Sequence, residues 1–182
     1  MRLVAIRHLP TDWNKKGLLQ GRRDIPISLY EITNYKAKIF ENKKQLKQAE
    51  PFDLILTSSL IRTQQTAEQY GYQATTIEPL LDELDFGIYE GRPKSEMINE
   101  TPEWVEDPLQ LSLGEKLVDF EGRIITFLQK YSRYDSILLF GHGSWIRAVK
   151  SIEKVGNINL MNRILMENNQ LEILADLTEA IR

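Results

Sequence analysis

The chain has no cysteine and only two histidines among its 182 residues. Without thiols there is no disulfide framework, no thiolate nucleophile and no cysteine site for zinc. No apolar run approaches the roughly 18 residues of a membrane span, and the opening stretch, MRLVAIRHLP, is too short in apolar residues for a signal peptide. The expected location is therefore the cytoplasm, with no membrane partner. A positive excess is missing too: the formal charge is −3 with both signs mixed, which excludes a broad basic stripe for nucleic acid and makes any anion selectivity local. The sequence has no internal repeat and no low-complexity linker, and nothing in it specifies an oligomeric state. Its length suits one well-buried core rather than two, so a single domain spanning residues 1–182 is expected.

What is present is a set of short apolar runs bounded by turn residues: Leu3 to Ile6, Leu54 to Leu56, Ile137 to Phe140 and Leu171 to Leu174. Most are too continuous for a half-exposed strand and suit strands covered on both faces. Helical patterns separate them. Ser28 with Glu31 reads as a capping box opening a helix that ends by Glu50, before Pro51. Ser59 to Tyr70, closed by Gly71, is a second helix. Ser112 with Glu115 reads as another capping box, ahead of Leu117, Phe120, Ile124, Phe127, Leu128 and Tyr131. A last helix begins near Ser144 and carries Trp145, Ala148, Val149 and Ile152. Strands alternating with helices predict an α/β fold, a three-layer αβα sandwich around a mostly parallel sheet, with Leu171 to Leu174 as an edge strand of either sense. The stretch from about residue 90 to 114 differs: Pro93, Pro102, Pro108 and many acids sit in weak periodicity. It reads as a lid-like excursion, with a short helix around Lys94 to Asn99.

Chemistry collects at the strand ends. His8 and His142 each follow an apolar run, Arg7 sits beside the first and Arg147 one helical turn past the second. In an open parallel sheet, ligands bind beyond the carboxyl ends of the strands, where helix N-termini present free N–H groups. The first strand end supplies Arg7, His8, Thr11 and Asn14; the second supplies Thr57, Ser58 and Ser59, then Arg62; the third supplies Gly141, His142, Gly143 and Ser144. Planar guanidinium donors beside an imidazole nucleophile fit a phosphoryl group.

Taken in order, these segments resemble the histidine phosphatases, the phosphoglycerate mutase-like superfamily. The match runs from Arg7 to about Leu174. Arg7, His8, Leu9, Pro10, Thr11 through Asn14 resemble the opening Arg-His-Gly motif; Gln20, Gly21, Arg22 through Pro26 resemble the Gln-Gly segment; Ser58 to Ala67 resembles the second arginine motif. Leu81 to Gly91 resembles the segment that carries the acid, Gly114 and Glu115 with Asp119 and Arg123 resemble a supporting helix start, and Gly141, His142, Gly143 match the second histidine motif.

The resemblance implies a phosphoglycerate mutase-like fold and a metal-independent, cofactor-free phosphomonoesterase of the phosphatase branch, acting on a small-molecule phosphate ester. His8 is then the nucleophile that becomes a phosphohistidine, Arg7, Arg62 and His142 hold phosphoryl oxygens, and Glu83 is the general acid and base. Asn14, Thr11, Gln20, Gly21, Arg22 and Gly143 are the candidate substrate contacts, Arg22 for a second anionic group. Asp82, Asp85 and Glu90 compete with Glu83 for the acid's place, and Trp13 is either packing or a pocket wall. Three positions depart from the family pattern: Leu9 stands for glycine and predicts a more apolar rim, Leu60 stands for proline, and Lys116 stands for serine and adds a cation that bears on substrate preference. The acids of the excursion, Glu96, Glu100, Glu103, Glu106 and Asp107, predict that it disfavours a highly anionic substrate. Rival expectations are a phosphoglycerate mutase, which the short chain disfavours, a catalytically silent phospho-ligand module, and a two-histidine metal hydrolase, for which closely spaced ligands are lacking.

Overall fold

The computed structural model describes residues 1–174. Strands β1 (Arg2–Arg7), β2 (Leu54–Thr57), β3 (Thr76–Ile77), β4 (Ser136–Gly141) and β5 (Leu171–Leu174) form one sheet in the order β3-β2-β4-β1-β5. β1 and β2 both pair in parallel with β4, and β5 closes the edge antiparallel to β1. The antiparallel sense resolves the alternative left open for Leu171 to Leu174. β3 has only two residues and no apolar run announced it.

The continuous apolar runs divide by alternation, because successive side chains of a strand point to opposite faces. Leu3, Ala5, Ile137 and Leu139 join one core cluster, while Val4, Ile6, Leu138 and Phe140 join the other. The helices α2 (Leu29–Ala49) and α3 (Ile61–Tyr70) cover the second face through Ile39, Leu46, Ala49, Ala67 and Tyr70. The helices α6 (Leu117–Tyr131) and α7 (Gly143–Val155) cover the first, where the Phe127 and Trp145 rings meet edge-on at 5.1 Å. Both faces of the sheet are thus dry, which is the three-layer arrangement the runs predict.

Helix starts differ from the sequence reading in instructive ways. Ser28 occupies the N-cap of α2 without making the capping bond. The Ser112 and Glu115 box does not form: α6 starts at Leu117, and the Glu115 carboxylate instead accepts from the Asp85 backbone N–H and pairs with Arg123 at 2.9 Å. α3 begins at Ile61, two residues later than expected, because Ser59 is diverted to donate to the Asp82 carboxylate at 2.7 Å. The excursion holds two short helices, α4 (Lys94–Glu100) and α5 (Glu103–Glu106), with the four-residue α1 (Asp12–Lys15) nearer the first strand. Trp104 and Met97 anchor the excursion to the core.

Among the described residues no helix is long and apolar enough to cross a membrane.

Candidate active site

Parallel register brings the chemistry together. Arg7 is paired with Gly141, and pairing continues one residue further, where the His8 N–H donates to the Gly141 carbonyl at 2.9 Å. The next residue on β4's side is His142, so the two rings lie 5.4 Å apart, centroid to centroid, at 61°. β2 sits on the other side of β4 and ends at Thr57, which delivers Ser58 and the start of α3 to the same edge.

The His8 ring is buried and its Nδ1 lies 2.7 Å from the Leu9 carbonyl oxygen. A carbonyl only accepts, so Nδ1 carries the proton in the neutral ring and Nε2 keeps its lone pair. Burial first, then the Arg62 and Arg7 charges, hold the His8 pKa well below its ordinary value, which leaves the ring unprotonated at neutral pH. His142 is fully buried, with Nε2 2.8 Å from the Ser58 hydroxyl and Nδ1 buried without a partner. Burial and then Arg62 lower its pKa in the same way.

The two flanking arginines are held by carbonyls rather than carboxylates. Arg62 is completely buried, its Nη1 and Nη2 donating to the Arg23 and Gly21 carbonyls at 2.7 and 2.8 Å, and its Nε is unpartnered. Arg7 donates through Nη1 to the Met166 carbonyl at 2.5 Å, again with an unpartnered Nε. Burial lowers both to about 10, with Arg147 adding to the effect on Arg7, so both stay cationic at neutral pH. Gly143 is glycine because of this packing: a Cβ there would lie 3.1 Å from Arg7 Nε. Gly21 is constrained twice over, by a φ of +51° and by the Glu90 carboxylate, which occupies the place of a Cβ.

Of the four clustered acids, only Glu83 lines the pocket. Its Oε1 accepts from the Leu84 N–H at 3.0 Å and its Oε2 from the Ser144 N–H, in the first turn of α7, at 3.2 Å. Arg123 fixes the segment by donating to the Asp82 and Glu83 carbonyls at 2.7 and 3.1 Å. Asp82 is spent on Ser59 and Arg22, Asp85 on the Gly87 N–H, and Glu90 on Arg22 N–H and Arg23.

Asn14, Gln20, Gly21 and Gly143 join Arg7, His8, Arg62 and Glu83 around one cavity of about 350 Å³. Three expected residues do not: His142 is fully buried against Ser58, off the cavity wall, and Thr11 and Arg22 also lie away from it. Thr11 is buried as the N-cap of α1, in a reciprocal capping box with Asn14, and its hydroxyl donates to Gln20 Oε1 at 2.8 Å. Arg22 is held in an ion pair with Asp82 at 2.7 Å and lies off the cavity wall. The departures from the family pattern are equally remote: Leu9 is buried in the core cluster under α2 rather than on the rim, Leu60 is the buried N-cap of α3, and Lys116 is exposed at the start of α6, off the cavity wall. Trp13 packs against Gly91 and does not wall the cavity.

The excursion is cationic where it meets the cavity, against the expectation from its acids. Lys94 and Trp104 line the cavity, while Glu96 and Glu100 are held by Arg92 at 2.8 and 2.7 Å and Glu106 lies by Arg163. Arg147 and Asn162 line the same cavity, Asn162 donating to the Trp104 carbonyl at 2.7 Å, with Ile164, Leu165 and Met166 adding apolar wall. Arg147 was visible in the sequence by its spacing from His142. Lys94 and Asn162 carried no such signal, since a lysine opening a short helix and an asparagine in an irregular segment are ordinarily solvated.

With this geometry in place, a family model described as the histidine phosphatase superfamily (branch 1) matches residues 3–175. The chain belongs to that superfamily. A Hydrogenobacter thermophilus protein named "Putative phosphoserine phosphatase 2" is 30% identical over 182 residues, covering 92% of this chain and 85% of that one. A 2,3-bisphosphoglycerate-dependent phosphoglycerate mutase of Methylobacterium sp. (strain 4-46) is 27% identical, covering 81% of this chain and 77% of the relative. Among solved structures, the alpha-ribazole phosphatase of Shigella flexneri superposes with a TM-score of 0.75 at 25% identity, covering 95% of this chain and 89% of that one. The five-stranded, mostly parallel sheet is the architecture of this superfamily.

Proposed function

We propose that the protein is a phosphomonoesterase that hydrolyses a small soluble phosphate ester through a phosphohistidine on His8. The observation that carries this reading is the bond from His8 Nδ1–H to the Leu9 carbonyl at 2.7 Å, which leaves Nε2 unprotonated beside Arg7 and Arg62. Nε2 attacks phosphorus and the ester P–O bond breaks. Glu83 gives its proton to the departing oxygen, then takes a proton from the water that attacks phosphorus, and the P–N bond breaks to release inorganic phosphate. In this reading Arg7 and Arg62, which line the cavity, hold the phosphoryl oxygens, and the buried, unpartnered His142 Nδ1 is a third donor available to them. The phosphatase names among the relatives support hydrolysis, alongside relatives named as mutases. Every step is written with side chains of this chain, and no metal takes part.

The test is phosphate release from alkyl and aryl phosphate monoesters in excess chelator. The wild type should turn over both. Glu83→Gln should lose about 10²- to 10³-fold on the alkyl ester and much less on an aryl ester, whose leaving group needs no proton. Equal losses on both would assign the acid elsewhere, and activity that vanishes with chelator would refute the metal-free route. Phosphoryl transfer to a second hydroxyl, the reaction in the Methylobacterium relative's name, would show as isomerised ester without free phosphate. Binding without release would mark a silent module.

A further inference from the structure

The ladder between β1 and β5 ends at Ile6 and Leu171, just before Arg7 and His8. The segment preceding β5 continues the grip on β1 by other means. The Arg7 N–H donates to the Gln170 carbonyl at 3.1 Å, and the Asn169 N–H is shared between the Arg7 and His8 carbonyls at 3.1 and 3.4 Å. Asn169 reaches them by turning into the left-handed region, with a φ of +60°, which asparagine tolerates better than most side chains. Glycine would make the same turn, but Asn169 also uses its side chain: Oδ1 accepts from the Tyr70 hydroxyl of α3 at 2.7 Å. Asn42 of α2 donates through Nδ2 to the Asn169 carbonyl at 2.9 Å and to the Tyr70 oxygen at 2.7 Å. All three residues are buried, and Asn42 Oδ1 and Asn169 Nδ2 are left without partners, a cost that an apolar trio would avoid. The cluster therefore serves to place the turn rather than to stabilise the fold.

What the turn places is Asn168, whose Nδ2 donates to the His8 carbonyl at 3.0 Å. The other end of the same peptide is held from α3. The Leu9 N–H donates to Thr66 Oγ1 at 2.9 Å, and the fully buried Thr66 hydroxyl donates in turn to the Arg62 carbonyl at 2.7 Å, one turn back on the helix. A peptide unit is planar, so fixing both its oxygen and its N–H fixes its rotation about the chain. That rotation sets ψ of His8 and φ of Leu9, and with them the approach of the Leu9 carbonyl to His8 Nδ1 at 2.7 Å.

We propose that Asn168 and Thr66 are positioning residues that grip the His8–Leu9 peptide at both ends and so hold the His8 ring in line for attack, with Asn42, Tyr70 and Asn169 as the footing of Asn168. This rests on the reading that His8 is the nucleophile. Neither Asn168 nor Thr66 lines the cavity around His8, so both act through His8 rather than on the substrate. A nucleophile set slightly out of line attacks slowly even where the groups that bind the phosphoryl oxygens are untouched.

The experiment compares the full-length wild type with Asn168→Leu and Thr66→Val, which keep the shape of each side chain and remove its hydrogen bonds. Rapid-quench single turnover of an aryl phosphate gives the rate constant of phosphohistidine formation, and calorimetry gives Kd for inorganic phosphate. Each variant should form the adduct about 10²-fold more slowly, with Kd for phosphate within about threefold of the wild type. Thr66→Ser, which keeps the hydroxyl, should recover most of the rate. Because one free end already lets the peptide turn, the double variant should be little slower than either single one; losses that multiply would mean separate roles and overturn the shared grip. Nitrogen-15 spectra of the His8 ring read the grip without turnover: the wild type should show the Nδ1–H tautomer alone, and both variants a mixture. Tyr70→Phe, which removes only the hydroxyl that holds Asn169, should shift rate and spectrum the same way by less, and it decides the matter should Asn168→Leu not fold. Wild-type rates with an unchanged ring overturn the proposal, as does a rate that falls only together with phosphate affinity. A mixed tautomer in the variants with no phosphohistidine in the wild type keeps the grip and overturns the phosphatase reading.

Discussion

The two halves of the cavity are built on different principles. The half around His8 and His142 stands on the ends of β1, β2 and β4, with three of its donors fixed by backbone carbonyls, that of Leu9 for His8, those of Gly21 and Arg23 for Arg62 and that of Met166 for Arg7, and His142 fixed by the Ser58 hydroxyl. The opposite half comes from the excursion, from α7 and from the segment after it: Lys94 opens α4, and Arg147 stands on α7 and meets only the neutral Ser144 and Asn162 side chains. Strand ends whose register is set by two buried faces place atoms tightly, as phosphoryl transfer requires. Short helices and loops tolerate change, and a wall built from them is suited to choosing the leaving group.

This contrast predicts that the two halves fail differently. The largest effect belongs to the rigid half: Arg62→Ala removes a buried guanidinium that faces the phosphoryl site and should cut kcat/KM by about 10³-fold. The loss should be the same for alkyl esters with different leaving groups, as paired steady-state assays would show. The adjustable half should respond to pH instead. Lys94 sheds its proton as pH rises through about 8, among Arg147, Arg7 and Glu83, and its attraction for an anion goes with it. KM for a phosphate ester should therefore rise severalfold between pH 7 and 9, and Lys94→Met should be flat over the same range.

The rigid half also marks the stability of the whole chain. Both histidines have pKa values depressed in the folded state, by burial first, so below about pH 6.5 the unfolded chain binds protons that the folded chain refuses. Stability is complete above the unfolded value and falls as pH drops below it, by on the order of one kcal/mol per histidine for each pH unit. Urea unfolding at pH 6.5 and 5.5 should show the loss, and His142→Gln should remove about half of it.

How far the sequence reached follows the same division. β1, β2, β4 and the strand-end residues were legible because a run buried on both faces has few competing readings and because His8, Arg62 and His142 sit at fixed offsets from those runs. Thr11 and Arg22, expected as substrate contacts, lie off the cavity wall. A threonine before a short helix serves the cap, and an arginine in a loop follows the nearest buried carboxylate, here Asp82, which lies 60 positions away in the chain. The sign of the excursion was misread for a related reason. Its acids outnumber its bases, but only the residues turned inward count, and Arg92 draws Glu96 and Glu100 outward while Lys94 faces the cavity. Glu83 was singled out from Asp82, Asp85 and Glu90 by the family resemblance, and of these four acids it alone lines the cavity.

The central claim is that the rigid half forms a covalent bond to phosphorus at His8. The most direct measurement is intact-protein mass spectrometry after rapid alkaline denaturation during turnover of an aryl phosphate, with the site mapped by fragmentation. The account predicts a mass increase of one phosphoryl group on His8, stable in alkali, lost on acidification, and absent from His8→Ala. An unmodified wild-type protein under full turnover, with rapid hydrolysis retained by His8→Ala, would contradict it.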